Sequence, residues 1–154
     1  MPQAERWLTK SEPGDYSIDD LARDRCTPWT GVRNYKARNY MRDEMRVGDP
    51  VLFYHSNADP SGVVGVARVA SEAYPDPLQF DEKSRYYDER ATRDQPRWWL
   101  VDVAFVEKLS RIVSLAEIKE KPALREMVLV KQSRLSVQPV RKAEFEAILE
   151  LSSG

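Results

Sequence analysis

"VGDPVLFYHSNADPSGVVGVARVA", Val47 to Ala70, is the stretch on which the fold turns. Gly48-Asp49-Pro50 is a turn signal, and the Val51–Ser56 run after it is rich in β-formers. "NADPSG" is a loop, and "GVVGVARVA" is a further strand. A glycine inside a strand marks a bulge or a close approach of another element, so Gly65 is expected to serve as one or the other.

Working outward, "RWLTK" (Arg6–Lys10) is a short strand and "SRLSVQPV" another, limited by Pro139. "WWLVDVAFV" (Trp98–Val106) is a strong strand, with Trp99, Val101, Val103 and Phe105 on one face and Trp98, Leu100, Asp102 and Ala104 on the other. Between these lie helix signals. Ser17 with Asp20 caps a short helix, and Ser114 with Glu117 caps another over Ser114–Lys119. A helix from about Asn34 to Arg46 places Ala37, Tyr40, Met41 and Met45 on one face and Arg38, Arg42 and Arg46 on the opposite ridge. A short helix is expected near Ala123–Met127. "KAEFEAILELS" closes the chain as an amphipathic helix with Phe145, Ile148 and Leu149 inward. Glu72 to Arg97, polar and carrying three prolines, is a long irregular excursion of the kind that is functional or disordered.

The sum is an α+β protein, residues 1–154 forming one domain. The strands are too few and too short for a doubly wound parallel sheet, so a small, strongly curved sheet or barrel is expected.

Composition narrows the function. Of 154 residues, 42% are hydrophobic and 32% charged, which describes a globular chain. No apolar run approaches the ~20 residues of a membrane helix. "MPQAERWLTK" has no apolar signal-peptide core, and Cys26, the sole cysteine, excludes an internal disulfide and a multi-cysteine zinc site. A cytoplasmic location without cofactor or membrane partner is the expectation. Net charge is −1, which argues against coating nucleic acid by charge alone. Basic residues are nonetheless clustered, five from Trp29 to Arg46 and seven from Lys119 to Lys142.

Catalytic constellations are sparse. His55 is the sole histidine, and its neighbour Ser56 points to the opposite face of a strand, so the two would not form a nucleophile–base pair. No phosphate-binding glycine loop is present. A hydrolase using His55 is the alternative from the enzyme class. An adaptor binding protein through the 72–97 excursion is a third reading. What stands out is "WTGVRNYKARNYMR", Trp29 to Arg42, which sets an indole and a glycine beside amides and basic side chains. A flat aromatic in such a loop stacks on a nucleobase for roughly 1–3 kcal/mol. Trp29 read by itself fits a half-buried core position equally well, and the arginine ridge fits a solvated helix face.

Five ordered motifs then carry a resemblance: "WLTKSEP" at Trp7–Pro13, "WTGVRNYKARNYM" at Trp29–Met41, "GDPVLFYHS" at Gly48–Ser56, "AYPDPLQFD" at Ala73–Asp81 and "RLSVQPV" at Arg134–Val140. Together they closely resemble the EVE domain family. The resemblance implies a PUA-like fold, a small twisted β-barrel with peripheral helices, related to the YTH domains that read methylated adenine. It implies non-enzymatic binding of a modified base, above all a modified cytosine in DNA, with RNA as the other candidate polymer. An effector protein would be a further partner. By motif, Lys10, Ser11 and Glu12 border the pocket. Trp29 is a wall, with Gly31, Val32 and Asn34 shaping the loop beside it. Tyr54, His55 and Ser56 approach from a barrel strand, and Phe80 and Trp98 are candidates for the opposing wall. Arg33, Lys36, Arg38, Arg42, Arg134 and Ser136 would meet the nucleic-acid backbone.

Overall fold

The computed structural model of the chain describes residues 5–153. Strand β1 (Arg6–Ser11) leads through a turn to helix α1 (Ile18–Asp24) and strand β2 (Cys26–Pro28). Helix α2 (Tyr35–Asn39) runs into a π-turn over Tyr40–Glu44. Strands β3 (Pro50–His55) and β4 (Gly62–Val69) follow, then a two-strand ribbon of β5 (Tyr74–Pro75) and β6 (Trp99–Leu100). The long strand β7 (Asp102–Ser114) leads to helix α3 (Leu115–Glu120) and the short helix α4 (Val128–Lys131). Strand β8 (Val137–Val140) and helix α5 (Lys142–Ser153) complete the chain.

Six strands form one mixed sheet in the order β2-β7-β4-β3-β1-β8. Among the described residues only β1 and β3 are parallel neighbours, and residues 12–49 form the crossover that a parallel pair requires. The sheet curls without closing, since β2 and β8 remain edges. This is the expected α+β, PUA-like architecture with its barrel left open. Pro139 sits on the edge strand β8, where a missing N–H does least harm.

Alternation along the strands fills both faces. Trp7, Val51, Phe53 and Ala67 join a cluster with Ile18, Trp29 and Met41. Leu8, Leu52, Tyr54 and Val66 join another with Ile118, Phe145 and Ile148. Each large, fully buried apolar side chain stabilises by about 1.5–3 kcal/mol, so two clusters let a small sheet hold together. Gly65 does both things its position suggested. Val64 is the extra residue where β4 pairs Phe53 with Gly65 and Tyr54 with Val63, and a Cβ on Gly65 would lie 2.4 Å from Ile18 Cδ1.

Several local expectations hold. The Ser17–Asp20 and Ser114–Glu117 capping boxes are both formed. Others need correction. The helix expected over 34–46 is α-helical for only Tyr35–Asn39. The π-turn then shifts the angular spacing, and Met45 is already extended, so Arg38, Arg42 and Arg46 do not form one ridge. The strand expected over 98–106 breaks at Val101, because β6 pairs with β5 while β7 pairs with β4 and β2 and runs on to Ser114. The helix expected near 123–127 is a 3-10 turn at Pro122–Leu124 followed by α4. The 72–97 excursion is ordered by Gln79, whose buried amide donates to the Asp76 and Trp98 carbonyls and accepts from the Arg97 and Trp98 N–H groups. Among the described residues no helix is long and apolar enough to cross a membrane.

Candidate functional site: a cleft beside Trp29

A cleft of about 1020 Å³ opens where the crossover meets the 72–97 excursion. Its floor comes from the turn after β1. There Glu12 O accepts from the Asp15 and Tyr16 N–H groups, Ser11 Oγ donates to Tyr16 O, and Lys10, Ser11, Glu12 and Asp15 reach the cleft. Lys10 Nζ donates to Ser133 O at 2.5 Å, and burial pushes its ammonium below the ordinary value.

Trp29 is both core and cleft. The break at Val101 frees a carbonyl that accepts the Trp29 N–H at 3.0 Å. The indole meets Phe53 edge-on at 5.6 Å and Tyr16 edge-on at 6.5 Å, and only 8% of Trp29 is exposed, toward the cleft it lines.

The loop after Trp29 is held from outside. Gly31 has φ +85°, a conformation natural to glycine, and its N–H donates to Asp76 Oδ2 at 2.8 Å. Arg33 Nη1 donates to the same oxygen at 3.0 Å, while its Nε and Nη2 both reach Tyr86 O. Asp76, 1% exposed, also accepts the Leu78 N–H at 2.8 Å as the cap of a 3-10 turn. Tyr86 is thereby drawn against the loop: a Cβ on Gly31 would lie 2.8 Å from its Cζ. The Arg85 guanidinium sits 4.8 Å from the Tyr86 ring centroid and donates to its hydroxyl.

Ten of the residues expected from the sequence line this cleft. They are Lys10, Ser11, Glu12, Trp29, Gly31 and Val32, together with Arg33, Ser56, Arg134 and Ser136. The others lie elsewhere. Asn34 is the N-cap of α2, its Oδ1 accepting the Ala37 N–H, so it is not turned to the cleft. Tyr54 alternates to the opposite face of β3, into the cluster under α5. His55 is half-buried, and its Nε2 accepts the Ile18 N–H at 3.1 Å; burial lowers its pKa, as fits a neutral acceptor.

Neither Phe80 nor Trp98, the candidates for an opposing wall, lines the cleft; the aromatic residues that do, besides Trp29, are Tyr16 and Tyr86. Phe80 lies under the Arg93 guanidinium, and Trp98 is captured by Asp88 through its indole N–H and by Tyr35, whose ring stacks on it at 4.8 Å. Among the expected backbone contacts, Lys36 bonds Gln132, Arg38 bonds Arg97 O and Asn39, and Arg42 pairs with Asp43. None of these three lines the cleft. Arg33 is committed to Asp76 and Tyr86, which makes it a positioning residue. Arg134 is exposed at the cleft with no hydrogen bond or ion pair among the described residues.

Tyr16, Asp76, Arg85 and Tyr86 were missed. Asp76 carried a signal, an aspartate before Pro77 in a turn, but nothing in the polar tract singles out Tyr86 from Tyr87. Among the described residues no group of three His, Cys, Asp or Glu side chains could hold a metal ion.

A curled mixed sheet with flanking helices and an aromatic-lined cleft defines a domain of the PUA-like class. A sequence model described as the EVE domain matches residues 5–151, and the chain belongs to the EVE domain family. It is 40% identical over 164 residues to thymocyte nuclear protein 1 of Gallus gallus, covering 94% of this chain and 67% of that protein. The fold matches that of a hypothetical protein from Leishmania major with a TM-score of 0.94 at 48% identity, covering 98% of this chain and 96% of that one. It also matches human THYN1, solved in complex with 5-methylcytosine containing DNA, with a TM-score of 0.92 at 38% identity, covering 97% and 98% of the two chains.

Proposed function

We propose that this chain binds a modified nucleobase, a modified cytosine carried by DNA, in the cleft beside Trp29. One observation carries the reading: human THYN1, whose solved chain is alike in fold over 97% of this chain, was solved with DNA containing 5-methylcytosine. The cleft's chemistry supports it. Trp29, Tyr16 and Tyr86 offer aromatic surface, and Glu12 and Asp15 offer carboxylates able to accept from the cytosine amino group. Arg134, without a hydrogen bond or ion pair among the described residues, is a cation for a phosphate.

A base enters such a cleft only after leaving its stack, at a cost of a few kcal/mol that stacking must offset. One methyl group, fully buried, adds about 0.8 kcal/mol, a factor of about four. Larger selectivity requires a polar group that suits only the modified base.

The reading is of binding without turnover. The test is fluorescence anisotropy with oligonucleotides that differ only at cytosine C5, prepared as DNA and as RNA. Methylated DNA should bind about fourfold tighter than unmethylated DNA if the methyl is fully buried, Tyr86→Ala should weaken it, and mass spectrometry should recover the strand unaltered. Equal affinity for methylated and plain strands would refute the reading.

A further inference from the structure

Outside the cleft, one aromatic ring is built for contact and has no role in the fold that its exposed face explains. Tyr35, at the start of α2, is 45% exposed. Its inner face stacks on Trp98 with centroids 4.8 Å apart and planes 20° from parallel. Trp98 is itself buried, its indole N–H bonded to Asp88 Oδ2 at 2.8 Å, so the ring beneath Tyr35 is fixed.

The arginines around Tyr35 sit at its rim. The Arg38 guanidinium lies 4.7 Å from the Tyr35 centroid and 5.9 Å from the Trp98 centroid. With the rings themselves 4.8 Å apart, those lengths put Arg38 beside the stack and not over the outer face of Tyr35. Arg97 donates to the Tyr35 hydroxyl, which places it at the ring's far edge. Asp88 pairs with both Arg90 and Arg97, and Asp43 pairs with Arg42, so the patch is basic but partly compensated. The result is a flat, rigidly backed ring, open outward and bordered by guanidinium groups. That combination suits a nucleobase above and phosphate oxygens at the side.

The platform is continuous with the cleft. The Arg33 guanidinium lies 5.3 Å from the Trp98 ring centroid and 5.3 Å from the Tyr86 ring centroid. A single guanidinium thus neighbours both the ring that supports Tyr35 and the ring that borders the cleft.

We infer that Tyr35 is the stacking platform for a nucleotide flanking the modified base, so that the protein grips a strand and not an isolated base. The inference rests on the base-reading function proposed above and assigns it a second contact. A fixed aromatic ring loses little conformational freedom when a base settles on it, and stacking is indifferent to which base that is. Tyr35 therefore adds affinity for the polymer while leaving selectivity for the modification to the cleft.

The test compares wild type, Tyr35→Ala and Tyr35→Phe against two probes: a DNA oligonucleotide with one central 5-methylcytosine, and free 5-methyl-2′-deoxycytidine. Tyr35→Ala should weaken the oligonucleotide between about fivefold and 150-fold and leave the nucleoside unchanged. Tyr35→Phe should bind the oligonucleotide like wild type. An oligonucleotide with abasic sites flanking the methylcytosine should bind wild type as weakly as Tyr35→Ala binds the intact strand, with no further loss in the variant. Thermal melting of Tyr35→Ala checks that the fold survives. If wild type binds the modified oligonucleotide and Tyr35→Ala binds it equally well, the platform is refuted while the cleft stands. An equal loss for the nucleoside would mean that Tyr35 acts through the cleft, which also overturns it. If wild type discriminates no modification at all, the base-reading proposal fails, and this inference falls with it.

Discussion

Replacing Asp76 with asparagine tests how the cleft is held. The carboxylate is 1% exposed and accepts three N–H groups: Gly31 N and Arg33 Nη1 on Oδ2, and Leu78 N on Oδ1. Asparagine is nearly isosteric but has only one acceptor oxygen, so in either orientation its amide NH₂ faces a donor. Removing one partner of a buried ion pair costs about 3–5 kcal/mol when the other charge is stranded. The Arg33 side chain is 21% exposed and keeps its bonds to Tyr86 O and Val32 O, which lowers the expected loss to about 3 kcal/mol. Urea denaturation should show this as a lower midpoint at unchanged slope. Because Arg33 also carries Tyr86, the variant should bind modified DNA more weakly than its residual stability explains. A double-mutant cycle with Arg33→Gln isolates the pair, and its coupling should exceed about 1 kcal/mol. A loss below about 1 kcal/mol, or additivity in the cycle, would show that Asp76 and Arg33 do not fix the loop.

Trp29→Ala should lose about 3–5 kcal/mol of stability, as for other buried aromatics, so its effect on binding must be read at a temperature where the variant is folded; a loss under 1 kcal/mol in denaturation would show the indole is not core. Arg134→Ala should weaken modified and plain DNA alike and reduce the salt slope by about one, read from affinities across a salt series; an unchanged slope removes Arg134 from the interface. Stability should fall as pH drops below 6.5, the ordinary histidine value, because burial keeps the folded-state pKa of His55 lower and the unfolded chain binds its proton first. His55→Gln should abolish that dependence between pH 7 and pH 5 in denaturation experiments. A separate acid limb should survive the substitution. Burial pushes the Asp88 carboxyl up, but the Trp98 indole N–H and the Arg90 contacts together hold it down to about 2, and the Arg111 guanidinium holds Glu117 at about 2. Their stabilisation is present above the ordinary carboxylate range and is lost as pH falls toward 2.

Strand identity was legible where local chemistry and tertiary context agree. Val51–His55 and Gly62–Val69 read as strands because both faces of the sheet demand apolar residues there. The two capping boxes read correctly because a cap is satisfied within one turn. The helix over 34–46 misread because its apolar spacing fits a continuous α-helix, while the π-turn follows from long-range demands. Buried Asp49, for example, accepts the Trp7 indole N–H and the Arg46 N–H immediately beyond the turn. The cleft's near side, Lys10 to Glu12 and Trp29 to Arg33, was legible because it lies in contiguous motifs. Its far side was not. Tyr86 is tied to the loop by Arg33, 53 residues away, which Asp76 in turn holds, and Trp98 was misplaced because strand alternation cannot reveal that Asp88 and Tyr35 capture it.

The link between the parallel neighbours β1 and β3 has to traverse the outside of the sheet whatever it contains. In this chain that obligatory detour carries Trp29, Gly31, Arg33 and Tyr35. Cleft-lining residues and framework are therefore interleaved in one segment of the polypeptide. The same detour supplies the edge strand β2 and the core side chains Ile18, Leu21 and Met41, so a change in its length or sequence leaves the hydrogen-bonded register of six strands intact only where it spares those positions.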